Sequence, residues 1–599
     1  MKYRRKYLRE RLAARKLDTA LFQRLFTYLS PNKNWLILAL VLMVLSKGIE
    51  AFIPLYIGKL TQQILTSYQL DQLTKQAELT SVIHGILGMF ALLLLSCGLE
   101  MVNVVLKSWV GQKAIYRLRT SVYAHILRLP QSVFDKTPIG RLMTRTIHDV
   151  DQIDKMFTDS IVPLLGNVIL FIGIGIGILF IDWRIGLLAG VMLPLTGLLL
   201  YIFRTNQRRC YELIRSVVSA MNTFVQEHLT GVAIIRSFGL EKQETKRFED
   251  LNEDHCNSYL ESEENFGFFV SGIDFFSSLS LILVFIILVH FSPPASSFQV
   301  GTYFTLTLYS MMFFRPLIDL AERYNVLQSA FAASERVFEV LDQPEEDLSP
   351  DGPLLEEIET IAFDDVWFAY EKEHWVLKGL NFHVSKGESL AIVGETGSGK
   401  TTVLNLLLRL YEFQKGSIKI NRRDIREYPV HSLRRQFSVI FQDPVIFSGT
   451  IADNIALYDS KITPSTIEEA VDFVDLRPVI ERFSDGLQHN LLERGKSLSM
   501  GERQLISFAR AVAHDRSVLI LDEATANIDS ATEKIIQEAL KRILKRKTAI
   551  VIAHRLSTIK DVSRILVLHK GTSVETGSHQ ELLEAKGFYE KLYRLLSPL

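Results

Sequence analysis

Eight consecutive residues, Gly394-Glu395-Thr396-Gly397-Ser398-Gly399-Lys400-Thr401, hold the pieces of a phosphate-binding loop. A short apolar strand, Leu390 to Val393, precedes them, and a helical pattern follows. In that setting glycines let backbone N–H groups curl around phosphate oxygens, and the helix N-terminus adds partial positive charge. Lys400 can reach the β- and γ-phosphates of a nucleotide, and Thr401 can coordinate Mg2+. A second apolar strand, Val518 to Leu521, ends in Asp522 and Glu523. Asp522 suits the Mg2+ shell, and Glu523 suits a general base or a water-positioning group. Gln442 in "SVIFQDP" and His554 in "IVIAHRL" end two more strands, and each alone is a weak signal, more often structural than catalytic.

These residues need a scaffold, and the chain supplies two kinds. It has 599 residues, 48% hydrophobic and 22% charged, with no formal net charge. That length predicts more than one domain. Neutrality argues against binding nucleic acid through bulk charge. The three cysteines, Cys97, Cys210 and Cys256, lack the spacing of a disulfide framework or zinc site, so each is expected to be a small buried residue. The first half is apolar in long blocks: Trp35 to Ile57, Ser81 to Leu106, Ile161 to Ile181, Ile185 to Phe203, Phe266 to Phe291 and Val300 to Leu320. A bilayer core needs about 20 apolar residues in a helix, so six spans are expected. Only Asp182 to Arg184 separates the third from the fourth, which predicts a tight hairpin.

The start, "MKYRRKYLRERLAARK", is basic throughout and lacks the apolar core of a signal peptide. It is expected in the cytoplasm. The connections after spans two and four carry clusters of arginine and run to about 50 to 60 residues each, too long for structureless loops in a compact protein. They read as helical, so spans two to five should extend as helices and turn at two tips, Phe134 to Leu142 and Thr230 to Lys242. The Pro- and acid-rich stretch Leu341 to Glu357 reads as a linker. The expected domains are a cytoplasmic N-terminal segment at 1–34, a transmembrane domain at 35–325, the linker at 341–357 and a nucleotide-binding domain at 358–599.

The order of these motifs resembles ABC transporters of the type IV exporter, multidrug-resistance-like class. The Walker A loop is Gly394 to Thr401, Walker B is Val518 to Asp522, and the catalytic-type glutamate is Glu523. Gln442 matches the Q-loop, Ala526-Asn527-Ile528-Asp529 the D-loop, and His554 the switch histidine. Tyr370 matches the aromatic that stacks on adenine, and Leu498-Ser499-Met500-Gly501-Glu502 the signature. "LLERG", with Glu493 and Arg494, resembles the exporter segment before it. The resemblance implies a six-helix transmembrane domain with long cytoplasmic helical extensions, followed by an α/β P-loop nucleotide-binding domain. It implies ATP and Mg2+ as cofactors. Glu523, His554 and Gln442 would be catalytic. Tyr370, Gly394, Thr396 to Thr402 and Asp529 would bind nucleotide, with Ser499 and Gly501 serving the nucleotide of a partner chain. Thr401, Gln442 and Asp522 would hold the metal. The implied location is the cytoplasmic membrane, multi-pass, with the nucleotide-binding domain inside.

The signature departs from the family pattern LSGGQ at Met500 and Glu502. Met500 replaces a glycine where backbone should approach phosphate closely. Glu502 puts a negative charge near an anion, which is unfavourable unless it points away. In the heterodimeric branch of the family, an altered signature on one chain accompanies a missing Walker B glutamate on the other. The expected partner is therefore a second half-transporter with a degenerate Walker B. Expected cargo is a hydrophobic or amphipathic compound, in contact with membrane lipids. A homodimeric lipid flippase and an exporter-fold siderophore importer remain alternatives. Ionisable residues within spans are costly and often functional. Lys47 and Glu50 can pair on one helix face, whereas Asp274 and Glu100 are candidates for contact with a cationic compound.

Overall fold

The computed structural model describes residues 19–68, 72–291, 300–346, 352–371, 374–492, 495–522, 530–553 and 559–596. Two compact units emerge. The first comprises the chain to Leu127 and Pro138–Gln343; the second comprises Arg128–Thr137 and Pro344–Leu599.

The first unit is helical. Its principal helices are α1 (Lys33–Tyr68), α2 (Gln72–Ile126), α3 (Val162–Ile181), α4 (Trp183–Thr230), α5 (Glu241–Phe291) and α6 (Val300–Leu341). Five helices among the described residues are long and apolar enough to cross a membrane; they hold the first five expected spans. The sixth lies in the first half of α6, where Arg315 and Asp319 dilute the apolar run. At 1.5 Å per residue, α2, α4 and α5 are each roughly 70–80 Å long, more than twice a hydrocarbon core. The long connections are therefore helix, as their periodicity implies. Pro130 and Pro138 precede two short helices, Gln131–Lys136 and Ile139–Thr144, so the chain turns on either side of the first of them. The second connection turns through Gly231 and the short helix Val232–Ser237. Asp182 sits between α3 and α4 and caps the latter, its Oδ1 accepting the Arg184 N–H at 2.8 Å.

Small residues bring α1 and α6 together. A Cβ on Gly301 would fall 2.0 Å from the Gly58 carbonyl oxygen, so the backbones touch. The buried Tyr309 hydroxyl donates to the Ala51 carbonyl at 2.8 Å, and Phe203 stacks on Phe269 at 4.3 Å. Lys47 and Glu50 pair at 2.7 Å, as their spacing predicts. Glu100 accepts from the Ser46 hydroxyl at 3.2 Å, while Asp274 is exposed on α5. Of the cysteines only Cys210 is buried; Cys97 and Cys256 are exposed, contrary to the expectation. Cys97 lies on α2 and Cys256 on α5, and among the described residues nothing buries either side chain.

The second unit is α/β. A six-stranded sheet runs β12-β11-β3-β10-β9-β6, with β3 (Ser389–Gly394), β6 (Phe437–Ile440), β9 (Val518–Asp522), β10 (Thr548–Ile552), β11 (Arg564–His569) and β12 (Thr572–Gly577). All neighbours in it are parallel except β11 and β12. A four-stranded sheet, β2-β1-β4-β5, joins β1 (Thr360–Phe368), β2 (Leu377–Ser385), β4 (Lys415–Ile420) and β5 (Arg423–Asp424), and β7 (Gly449–Thr450) pairs with β8 (Asn490–Leu491). The large sheet is covered on both faces. Leu390, Ile392, Val518 and Ile520 pack into one core with the four-stranded sheet. Ala391, Val393, Leu519 and Leu521 alternate into another with Leu505 and Phe508. Burial on both faces explains why these strands read as unbroken apolar runs. Glu346 is anchored within this unit: its N–H donates to the Arg128 carbonyl at 2.8 Å, and Arg434 grips its carboxylate with two bonds of 2.9 and 2.5 Å.

Candidate nucleotide site

Strand β3 ends at Gly394, and helix α7 (Lys400–Leu407) begins six residues later. The intervening loop turns through Gly397 (φ +82°) and Gly399 (φ +102°), left-handed conformations that favour glycine. Gly399 is the N-cap of α7 and offers no side-chain acceptor, so the first-turn amides have no side-chain cap. The buried Ser398 hydroxyl has no partner among the described residues. Lys400 is buried and its Nζ donates to the Gly394 and Glu395 carbonyls at 2.8 and 3.0 Å, so the ammonium lies over the loop. Uncapped amides, an unpaired hydroxyl and an ammonium around one concave loop fit a polyphosphate. Thr396 and Thr401 are exposed on it, and Thr402 is buried.

Sheet register brings the other groups to the same edge. Ile552 pairs with Asp522 on one side and with Ile392 on the other, so Asp522 lies level with Ile392, two residues before β3 ends. Leu521 pairs with Ile440, and Gln442 follows two residues later, exposed. The C-terminal edge of a parallel sheet is where ligands bind in open α/β folds. Among the described residues no group of three His, Cys, Asp or Glu side chains could hold a metal alone. Asp522, Thr401 and Gln442 are hard oxygen donors, a set suited to Mg2+ that keeps phosphate and water as its remaining ligands. Glu523, Asp529 and His554 lie outside the described residues, as do Glu493 and Arg494.

Tyr370 follows β1 with its ring partly exposed. Its hydroxyl lies 3.2 Å from Thr402 Oγ1 and accepts from Asn405 Nδ2 at 3.1 Å, so α7 fixes its tilt. Tyr411 meets the ring edge-on, and the Tyr411 hydroxyl donates to the Asp135 carboxylate. Burial first, and then the hydrogen bond to Asp135, push the Tyr411 hydroxyl above the ordinary tyrosine range. Sequence reading missed Asn405, Tyr411 and Asp135. Asn405 follows Thr401 at i+4 on one helix face, a spacing visible in advance. Nothing local points from Asp135 to Tyr411.

The signature stretch starts helix α8 (Met500–Ala513). Ser499 is its N-cap, and its hydroxyl accepts the Glu502 N–H at 3.2 Å. Glu502 reaches back, Oε2 accepting the Ser499 N–H at 2.8 Å, which completes a capping box. Its other oxygen accepts from Arg482. Glu502 therefore does not point away from the helix start, as expected for a bare charge; it is turned back and neutralised. Ser499-x-x-Glu502 is itself a capping-box sequence, so the signal was present. Met500 is half-buried, and Arg503 donates to its Sδ at 3.4 Å. Gly501 is buried.

Residues 36–317 match the ABC transporter transmembrane region, and residues 377–526 match the ABC transporter model. The chain belongs to the ABC transporter family. This ABC transporter is 33% identical over 546 residues to the Bacillus subtilis "Probable multidrug resistance ABC transporter ATP-binding/permease protein YheH", covering 88% of this chain and 80% of that one. It is 32% identical over 577 residues to an ATP-dependent lipid A-core flippase of Idiomarina loihiensis, covering 96% and 97%. Its fold matches a solved bacterial Atm1-family ABC exporter with ATP bound, at a TM-score of 0.76 and 24% identity, over 95% of this chain and 99% of that one. It is a multi-pass membrane protein with an ATP-hydrolysing α/β domain, coupled to transport.

Proposed function

We propose that this ABC transporter exports hydrophobic or amphipathic compounds across the cytoplasmic membrane, with its nucleotide-binding domain on the cytoplasmic side. The observation that carries the reading is the single sheet edge shared by the Gly394–Thr401 loop, Asp522 and Gln442, in a chain whose first half is membrane-length helix. Lys400 and the loop amides bind the phosphates, and Tyr370 carries the adenine. Thr401, Asp522 and Gln442 hold Mg2+, which neutralises phosphate charge when bound. Glu523 orients and deprotonates the attacking water, and His554 contacts the γ-phosphate. Ser499, Gly501 and Asp529 serve the nucleotide across the dimer. The segments at 134–142 and 230–242 pass nucleotide-driven motion to the transmembrane domain at 35–325, and 341–357 link it to the domain at 358–599. Asp274 and Glu100 favour a cationic amphipath.

The partner is a different half-transporter lacking the glutamate after Walker B, because Met500 and Glu502 depart from the family signature. A homodimeric lipid flippase is the second reading; it is favoured by the flippase relative and by the pairing that neutralises Glu502. The test is to tag the chain in its host, extract it gently and identify what co-purifies. A second half-transporter supports the first reading. Recovery of this chain alone, as an active dimer with two equal sites, overturns it in favour of the flippase. ATPase stimulation by drugs, by one lipid or by a siderophore then separates the cargo classes.

A further inference from the structure

Under the reading above, the start of α8 faces a phosphate held by the partner chain. A free carboxylate at its third position would oppose that anion. Glu502 is 14% exposed in its side chain and has both oxygens engaged, Oε2 by the Ser499 N–H at 2.8 Å and Oε1 by Arg482. The two engagements differ in what they require. The capping bond is made equally well by glutamine, so it does not depend on charge. The Arg482 pair exists only because residue 502 is charged. Arg482 stands outside α8, 20 residues earlier, just after the short helix Arg477–Ile480. Its guanidinium also lies 5.9 Å from the Phe483 ring, which stacks on His489 at 4.0 Å. Arg503, at the same end, is directed elsewhere, donating to the Leu498 carbonyl at 2.9 Å and to Met500.

We propose that Arg482 is a positioning residue for ATP binding at the site this chain's signature completes. It cancels the Glu502 charge and holds that side chain in the capping box, so that the amide end of α8 stays positive toward a phosphate. The altered signature is then a compensated one. The proposal rests on the reading that the signature serves a nucleotide.

The experiment compares Arg482→Ala, Glu502→Gln, the double variant and Lys400→Ala, each as the assembled transporter purified in lipid. ATPase KM, kcat and thermal midpoint are measured at low and high salt. Arg482→Ala raises KM for ATP about three- to fivefold at low salt, the upper part of the range for losing one partly screened charge pair, with a smaller effect at high salt. In the Glu502→Gln background the same Arg482→Ala change moves KM less than about twofold. A merely structural arginine would cost the same in both backgrounds. Equal cost in both, or an unchanged KM in Arg482→Ala while Lys400→Ala is inactive, overturns the proposal alone. Full ATPase in Lys400→Ala overturns the underlying reading, and the proposal with it.

Discussion

Tyr370 and Tyr411 meet edge to face, with ring centroids 4.9 Å apart and planes at 87°. Tyr370 remains 42% exposed and is the proposed platform for the base, while the far end of Tyr411 holds Asp135, which lies in the Arg128–Thr137 segment of the same unit. Stacking is worth about 1–3 kcal/mol per base, so Tyr370→Ala should raise the Kd for ATP roughly tenfold or more. Tyr370→Phe keeps the ring and loses only the bonds to Thr402 and Asn405, so the shift should stay within about threefold. Tyr411→Phe should leave Kd unchanged and destabilise the unit by about 1 kcal/mol. Titration with a fluorescent nucleotide and a melting curve check all three.

Gly399 combines φ +102° with a crowded flank, a Cβ there falling 2.7 Å from Leu377 Cδ2. Leu377 can yield, but the backbone angle cannot without strain of about 1–3 kcal/mol. Gly399→Ala should therefore tilt the loop and lower ATPase activity at least about tenfold, a factor of ten being about 1.4 kcal/mol. Near-normal turnover would mean the loop tolerates an ordinary residue.

Glu523→Gln removes the proposed base and keeps the size of the side chain. Turnover should drop by about 10²–10⁴, with ATP binding retained. Equal loss of binding and turnover would assign the residue to nucleotide affinity instead.

His514 caps α8 and is half-buried. Burial, and then the neighbouring Arg516, hold its pKa below the ordinary histidine value. The folded chain keeps it neutral, while the unfolded chain takes up a proton below about pH 6.5. Stability present above that pH is lost as pH falls toward the depressed folded value. The thermal midpoint should drop between pH 7.5 and 5.5, and His514→Gln should flatten part of that slope. An identical slope in the variant would assign the acid sensitivity to other groups.

The phosphate loop was legible because its demands are local. Glycines with left-handed angles, a strand before and a helix after lie within a few residues, and each limits the backbone directly. The long helices were legible for a similar reason, since apolar run length and period act along one helix. Strand order was not legible. Strands β3, β10, β9 and β6 become neighbours out of chain order, and only their packing brings Asp522 and Gln442 to the edge where Gly394 ends. The same holds for Tyr411 and Asp135, 276 residues apart. Glu502 divides the two cases. Its capping role lay within four residues of sequence, whereas its charge was settled by Arg482, a partner that only the fold brings near. Local backbone geometry is written in adjacent residue types; the company a charge keeps depends on which distant segments pack together.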